Sequence, residues 1–371
     1  MVAAYENSAP INISDFASSI EYSKLETSEE TFYQFLALSA TLGDSMILMK
    51  ASDRISLFDR STGAYVKDIG HKGDDPEGFL GPLNSLGVNT RNNTVYAQAK
   101  QFGLHEYSLS NGKLVNTIPG PDVEGMNATI SAGSAMNVSL MTAQGVLKDS
   151  LVAGYFLNIK GDEPVKMIVY NRNGEVLKVY PNHQSYEKLK NMIRIESVDF
   201  HNYDDGLFFK ENYNDTVFSV SADTLQPAIF YNLGEFSPPY EKQESMSGEE
   251  RSKYMFVRKT VQSEDYVFYY VGLEGKGIHG YFDRKTKQSR LAEAKSSETI
   301  LGFNNDIDDF FPFYPKLVND QNELVGLVKA EEVYEWFQNN PDKIAALPKK
   351  LQSLQNIDPE DNPIIMFAKL K

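Results

Sequence analysis

The sequence predicts an all-β fold, a six-bladed β-propeller of four-stranded antiparallel blades. Three observations lead there. A strand–turn–strand figure recurs along the chain. A further strand pair precedes most of its copies. The last unit lacks one strand, and the N-terminal region holds a segment of the right pattern to supply it.

The recurring figure begins with ISLFDRSTGAYVKDIG, Ile55 to Gly70. It returns as LHEYSLSNGKLVNTIPG (Leu104 to Gly120), MIVYNRNGEVLKVYP (Met167 to Pro181), TVFSVSADTLQPAIFYNLG (Thr216 to Gly234) and HGYFDRKTKQSRLAE (His279 to Glu293). The copies lie roughly 50 to 60 residues apart, the range of propeller blades. Asp, Asn, Ser and Gly occupy the turns because they tolerate tight-turn geometry and bond their own backbone. An aromatic precedes each turn: Phe58, Tyr107, Tyr170, Phe218 and Phe282. Five aromatics at one structural position read as packing between neighbouring sheets rather than as a ligand site.

Strand pairs precede these hairpins. They are FYQFLALSA with SMILMKA, LNSLGV with TVYAQA, RIESVDF with GLFFKE, and FVRKTVQ with YVFYYVGL. Two pairs per unit make a four-stranded blade. A sixth unit has PFYPKLV, ELVGLV and the final NPIIMFAKLK, which is three strands. SSIEYSKLET, Ser18 to Thr27, alternates correctly to be the fourth, so the N-terminal strand should pair with the C-terminal one and leave no open edge there. The expected organisation is one propeller domain over residues 1–371.

Two segments break the β pattern, at about 241–259 and 329–354. Ser247 with Glu250 three places on is a capping-box signature. In KAEEVYEWFQNNPDKIAALPKKLQSL, Val333, Trp336 and Phe337 share a helical face. Pro341 reads as the first residue of a second helix. Both insertions fall between strands expected to meet on one face of the propeller.

Composition narrows the function. The 371 residues carry a formal charge of −15, which opposes a nucleic-acid partner. With no cysteine, disulfides, thiolate metal sites and cysteine nucleophiles are excluded. No segment reaches membrane-spanning length, and MVAAYENSAPINISDF has no apolar leader core. No nucleophile elbow is evident.

Four stretches look familiar together: DRSTGAYVKDIGHKGDDPEGF, NYNDTVFSVSADTLQPAIFYNLG, the helical segment after ELVGLVKAEEV, and the ending DNPIIMFAKLK. They resemble the uncharacterised six-bladed propellers of anaerobic gut bacteria, related in shape to NHL-like and TolB-like propellers. The sequence departs from that pattern at Asp74 to Phe79, where the usual Gly is Asp and the Glu and Gly are exchanged. The resemblance implies a propeller and export to the periplasm or cell surface, often with a lipid anchor at a Cys that this chain lacks. It implies no activity.

The leading functional reading is a non-catalytic binding or scaffold propeller that recognises a glycan, peptide or protein through its loop and insertion face. His71, Lys100, Phe102, Tyr213, Tyr334 and Trp336 are the candidate contacts, because aromatic faces with polar edges suit sugar rings. Trp336 reads more strongly as the anchor of its own helix. No cofactor is required. The alternative is a Ca²⁺-dependent hydrolase or lyase of the lactonase type, for which Asp306, Asp308 and Asp309 are candidate ligands. The loop His71 to Gly81, rich in Gly and Asp, joins two strands rather than opening a helix. It therefore reads as a blade connection and not a phosphate cradle.

Overall fold

A computed structural model of the chain describes residues 1–32, 37–80, 86–100, 103–131, 135–139, 141–147, 151–189, 198–294 and 296–371. The fold is a six-bladed β-propeller of four-stranded antiparallel blades with a few short helices. The chain divides into two compact units. Met1–Val2, Gly70–Thr260 and Val271–Gly275 form the first; Ala3–Ile69, Val261–Tyr270 and Lys276–Lys371 form the second.

The first unit holds three complete blades. The second blade in chain order uses Leu86–Asn89, Thr94–Gln98, Leu104–Ser108 and Leu114–Ile118. The third uses Met141–Val146, Val152–Phe156, Val165–Tyr170 and Val176–Pro181. The fourth uses Val198–Tyr203, Gly206–Glu211, Thr216–Val220 and Leu225–Phe230. The expected aromatic Tyr107 and Tyr170 are fully buried among apolar strand residues, as strand burial requires.

The second unit holds the first blade, Ala37–Leu42, Met46–Lys50, Ile55–Asp59 and Tyr65–Asp68. It also holds the sixth, Pro315–Val318, Glu323–Val328 and Ile364–Leu370 completed by Ala17–Lys24. Ala17–Lys24 pairs antiparallel with Ile364–Leu370, with Glu21 opposite Phe367 and Tyr22 opposite Met366. The N-terminal strand therefore supplies the missing fourth strand as expected. Its entrance is anchored by Phe16, fully buried, whose ring lies 5.1 Å from Phe268 and from Phe303, 5.4 Å from Tyr281 and 5.9 Å from Tyr266. Such edge contacts add to area burial. The fifth blade, Phe256–Gln262, Tyr266–Leu273, Lys276–Asp283 and Gln288–Leu291, has residues in both units.

Three elements escaped the sequence reading. One is the opening pair of the third blade. Another is a separate hairpin, Asn127–Ser131 with Ala135–Ser139. The last is a two-residue strand, Ile300–Leu301, parallel to Lys276–Asp283. The insertions are also shorter in helix than expected. Gly248–Ser252 is helical, with the Ser247 side chain accepting from the Glu250 N–H. Ala330–Asn339 is helical, with the Glu332 carboxylate accepting from the Lys329 N–H at 2.9 Å. Pro341 does not open a second helix. A 3-10 turn at Ile344–Ala346 follows it, and the next α-helix is only Lys349–Gln352. Pro348 lies inside the stretch, and the residue before a proline is biased out of helical geometry.

Buried His279 gives the second unit a pH dependence. Its Nδ1 lies 3.0 Å from the Leu301 carbonyl, and its ring packs 4.7 Å from Tyr270 and 5.6 Å from Tyr314. Burial lowers its pKa from 6.5 to about 3. The unfolded chain therefore binds the proton first. Stability is retained above about pH 6.5 and falls as pH drops toward 3, by up to about 1.4 kcal/mol per unit. Denaturant titrations from pH 7 to 4 should show a shallower decline for His279→Gln, which can keep a donor for Leu301. Parallel declines would contradict this.

Candidate functional site

A cleft of about 340 Å³ lies in the second unit. It grows out of the first hairpin turn. Asp59 Oδ1 accepts from Ser61 Oγ at 2.7 Å, Thr62 Oγ1 at 2.8 Å and Thr62 N–H at 2.9 Å. These bonds, the Ser61 hydroxyl first, hold its pKa at about 2. Gly63 closes the turn at φ +74°, where an added Cβ would lie 1.8 Å from the Lys24 carbonyl oxygen, so only glycine fits.

This turn aims Arg60 at the sixth blade. Its guanidinium makes a bidentate pair with Glu323, 2.7 and 2.8 Å, and lies 4.0 Å over the Phe367 ring. Glu21 approaches the same group at 3.3 Å. Burial pushes the Glu323 pKa up, but the bonds from Arg60 and Asn319 overcome it and hold the carboxyl below its ordinary range. With side-chain exposures of 10% and 12%, Arg60 and Glu323 form a fixed frame rather than a solvated surface pair. The remaining lining is Glu21, Tyr22, Asp44, Ser61, Gln321, Lys350, Phe367 and Lys369. Lys350 comes from the short helix of the second insertion, so insertion and blade turns meet here. The cleft falls at the small end of the size range of ligand pockets, and its walls carry charges of both signs.

The residues expected from sequence lie elsewhere. In the first unit, His71 Nε2 lies 2.7 Å from Asp75 Oδ2, and Lys100 bonds the Asp74 carbonyl. The same loop is fastened by Tyr107 OH donating to the Glu77 carbonyl at 2.6 Å, and by buried Phe79. His71 and Lys100 therefore meet around one loop and brace it. Phe102 lies outside the described residues. Tyr213 is buried between Phe256, at 5.2 Å, and Tyr240, at 6.4 Å, with Arg251 donating to its hydroxyl.

Tyr213 also borders a space of about 20 Å³ with Tyr155, Asn158, Tyr186, Glu211 and Tyr240. That is room for about one water. The network around it is dense. Asn158 donates to Tyr240 OH at 3.0 Å, Tyr186 OH to the Asn158 carbonyl at 2.6 Å, and Lys166 to Glu211.

In the second unit, Trp336 packs 4.7 Å from Phe310 and 5.4 Å from Phe337, and Tyr334 is exposed. The three aspartates each take a different partner. Asp306 accepts from Ser14 N–H and Oγ, Asp308 from Tyr22 OH at 2.9 Å, and Asp309 from Lys343 at 2.9 Å. The run thus fastens the N-terminal segment, the closing strand and the helical insertion. Among the described residues, no three His, Asp or Glu side chains are grouped to hold a metal ion.

Sequence reasoning missed the cleft, although one signal was present. An arginine follows the Asp or Asn of three hairpins: Arg60, Arg172 and Arg284. Arg172 reaches buried Glu106 in the preceding blade as Arg60 reaches Glu323, an inter-blade staple at two of the three, whereas Arg284 bonds Gln262 of its own blade. Also unforeseen was a buried charge cluster in the first unit. Asp199 Oδ1 lies 2.8 Å from Lys259 Nζ, Oδ2 accepts from Thr260 N–H at 3.1 Å, and Lys210 sits opposite Asp199 across the strand pair.

A solved structure shares this architecture. A putative exported protein from Bacteroides fragilis NCTC 9343 aligns at 16% identity with a TM-score of 0.69, over 95% of this chain and 95% of that one. A protein of unknown function from Bacteroides caccae aligns at 13% identity and TM-score 0.38, over 76% and 82%. The WD40 repeats of RRP9 align at 11% and 0.44, over 98% and 99%. At these identities the first likeness shows the fold alone. Comparison with curated proteins gives no significant match. No helix among the described residues is long and apolar enough to cross a membrane. The profile of one family matches residues 1–369, and the chain belongs to that family, the domain of unknown function DUF4934.

Proposed function

We propose that the chain is an exported, non-catalytic binding propeller, one domain over residues 1–371, that recognises a glycan. The observation that carries this is the 340 Å³ cleft of the second unit, framed rigidly by Arg60, Glu323 and Phe367. Both donors and acceptors line it, which suits hydroxyl groups that donate and accept at once. Its apolar lining is slight. Phe367 is covered by Arg60, and the Tyr22 hydroxyl is engaged by Asp308 and Asn305. A pocket for apolar peptide side chains would need more. Export is supported by the description of the Bacteroides fragilis structure. A shape related to NHL-like propellers suits a rigid scaffold whose turns and loops carry the binding groups.

A glycan array probed with the wild-type chain and with Asp44→Ala/Gln321→Ala tests this. Both side chains are exposed, so thermal stability should not change. The double variant should bind its best glycan at least about tenfold more weakly, the effect of losing one or two hydrogen bonds to a charged or polar wall. Unchanged binding, or no glycan bound by the wild type, overturns the reading.

A further inference from the structure

We propose, building on the glycan reading above, that the cleft takes an acidic sugar residue, a uronate, with its carboxylate between Lys350 and Lys369. The inference comes from sorting spent groups from unspent ones. Both arms of Arg60 are committed to Glu323, and Glu21 leans on the same guanidinium. Arg60 and Glu323 are frame, while the Glu21 side chain stays 70% exposed.

Lys350, Lys369 and Asp44 form no side-chain hydrogen bond or ion pair among the described residues, and all three line the cleft. Lys369 is near enough to Glu323 to help lower its pKa without pairing with it. The open set is therefore the two lysines, Asp44, the mostly exposed Glu21 carboxylate and the Gln321 amide. The chain has 51 acidic and 36 basic residues, so two unpaired lysines on one cleft run against its overall charge.

Two ammonium groups on one small cleft are complementary to a single negative charge, and hydrogen bonds between ionised partners are about twice as strong as neutral ones. Asp44 asks for a donor, which a carboxylate alone cannot give and a ring hydroxyl can. A uronate brings both: one carboxylate for the lysines, and hydroxyls for Asp44 and Gln321. A neutral sugar leaves the ammonium groups to water. An acidic peptide brings carboxylates but no hydroxyl ring.

Titration calorimetry decides among these. The probes are tri-galacturonate, neutral galactotriose and tri-glutamate, against wild type and Lys350→Met/Lys369→Met. Both lysines are exposed, so the variant should fold with the wild-type melting temperature. The acidic sugar should bind the wild type at least about tenfold tighter than the neutral one, a margin that shrinks in high salt. The double variant should lose the margin. Equal affinities for the two sugars, a margin that survives loss of both lysines, or tri-glutamate binding as tightly as tri-galacturonate would each overturn the uronate assignment while leaving the glycan reading standing. Binding of neither sugar would overturn both.

Discussion

Deleting Ala17–Lys24 is expected to abolish cooperative unfolding. The strand is bonded along its length to Ile364–Leu370, and without it that C-terminal strand becomes an open edge. Its removal also strips buried Tyr22 and displaces Phe16 and Leu25, both fully buried at its two ends. Loss of one large buried aromatic costs about 3–5 kcal/mol, and the whole fold is held by about 5–15. Two such losses plus an open edge consume most of that. Guanidinium titration should therefore give a broad, early transition for the deletion. A graded companion, Phe16→Leu, should remain folded with a lower midpoint. Full-length behaviour in the deletion would mean the two chain ends do not build the sixth blade together.

Asp199→Ala is expected to destabilise the first unit by about 3–5 kcal/mol, the cost of leaving buried charge uncompensated. Asp199 is buried, and burial alone would raise its pKa. Lys259 and His201 reverse this and hold it far below the carboxylate range. The same carboxylate supports Lys210, whose pKa burial lowers to about 8. Removing it leaves Lys259 and the Thr260 N–H without this acceptor, and takes a nearby negative charge from Lys210, whose ammonium donates to the Glu211 carbonyl. Asp199→Asn should cost less, because it can still accept from Thr260. The sign of the pH effect follows from Lys210. Its folded pKa lies below the unfolded one, so the unfolded chain holds more protons and stability rises with pH. In Asp199→Ala that pKa falls further, so the variant should recover part of its loss between neutral pH and about 10. Urea titrations at both ends of that window check it, and a loss below about 1 kcal/mol would contradict the role given to the cluster.

The fold was legible because its signals are local. A hairpin needs only alternation and a turn residue, so all five recurring hairpins stand where LFDRSTG, EYSLSNG and their counterparts put them. Blade closure was legible by counting strands. The opening pair of the third blade was missed because Met141–Val146 carries Thr, Gln and Gly with little alternation. The second helix after Pro341 was overextended because Pro348 was given no weight.

The cleft was barely legible, for a physical reason. Its walls come from Glu21, Asp44, Arg60, Gln321, Lys350 and Lys369, which sequence separation makes strangers. Only the repeated arginine hinted that these turns touch a neighbouring blade. Aromatic residues drew attention instead. Tyr213 and Trp336 carry large apolar area, and area of that kind is taken up by packing before it can be offered to a ligand.

A crystal structure of the chain grown with tri-galacturonate is the most direct test of the uronate site. One ordered sugar residue is expected in the second-unit cleft, its carboxylate within bonding distance of Lys350 and Lys369 and a hydroxyl on Asp44. An ordered sugar seated away from that cleft, with the cleft holding none, would contradict it.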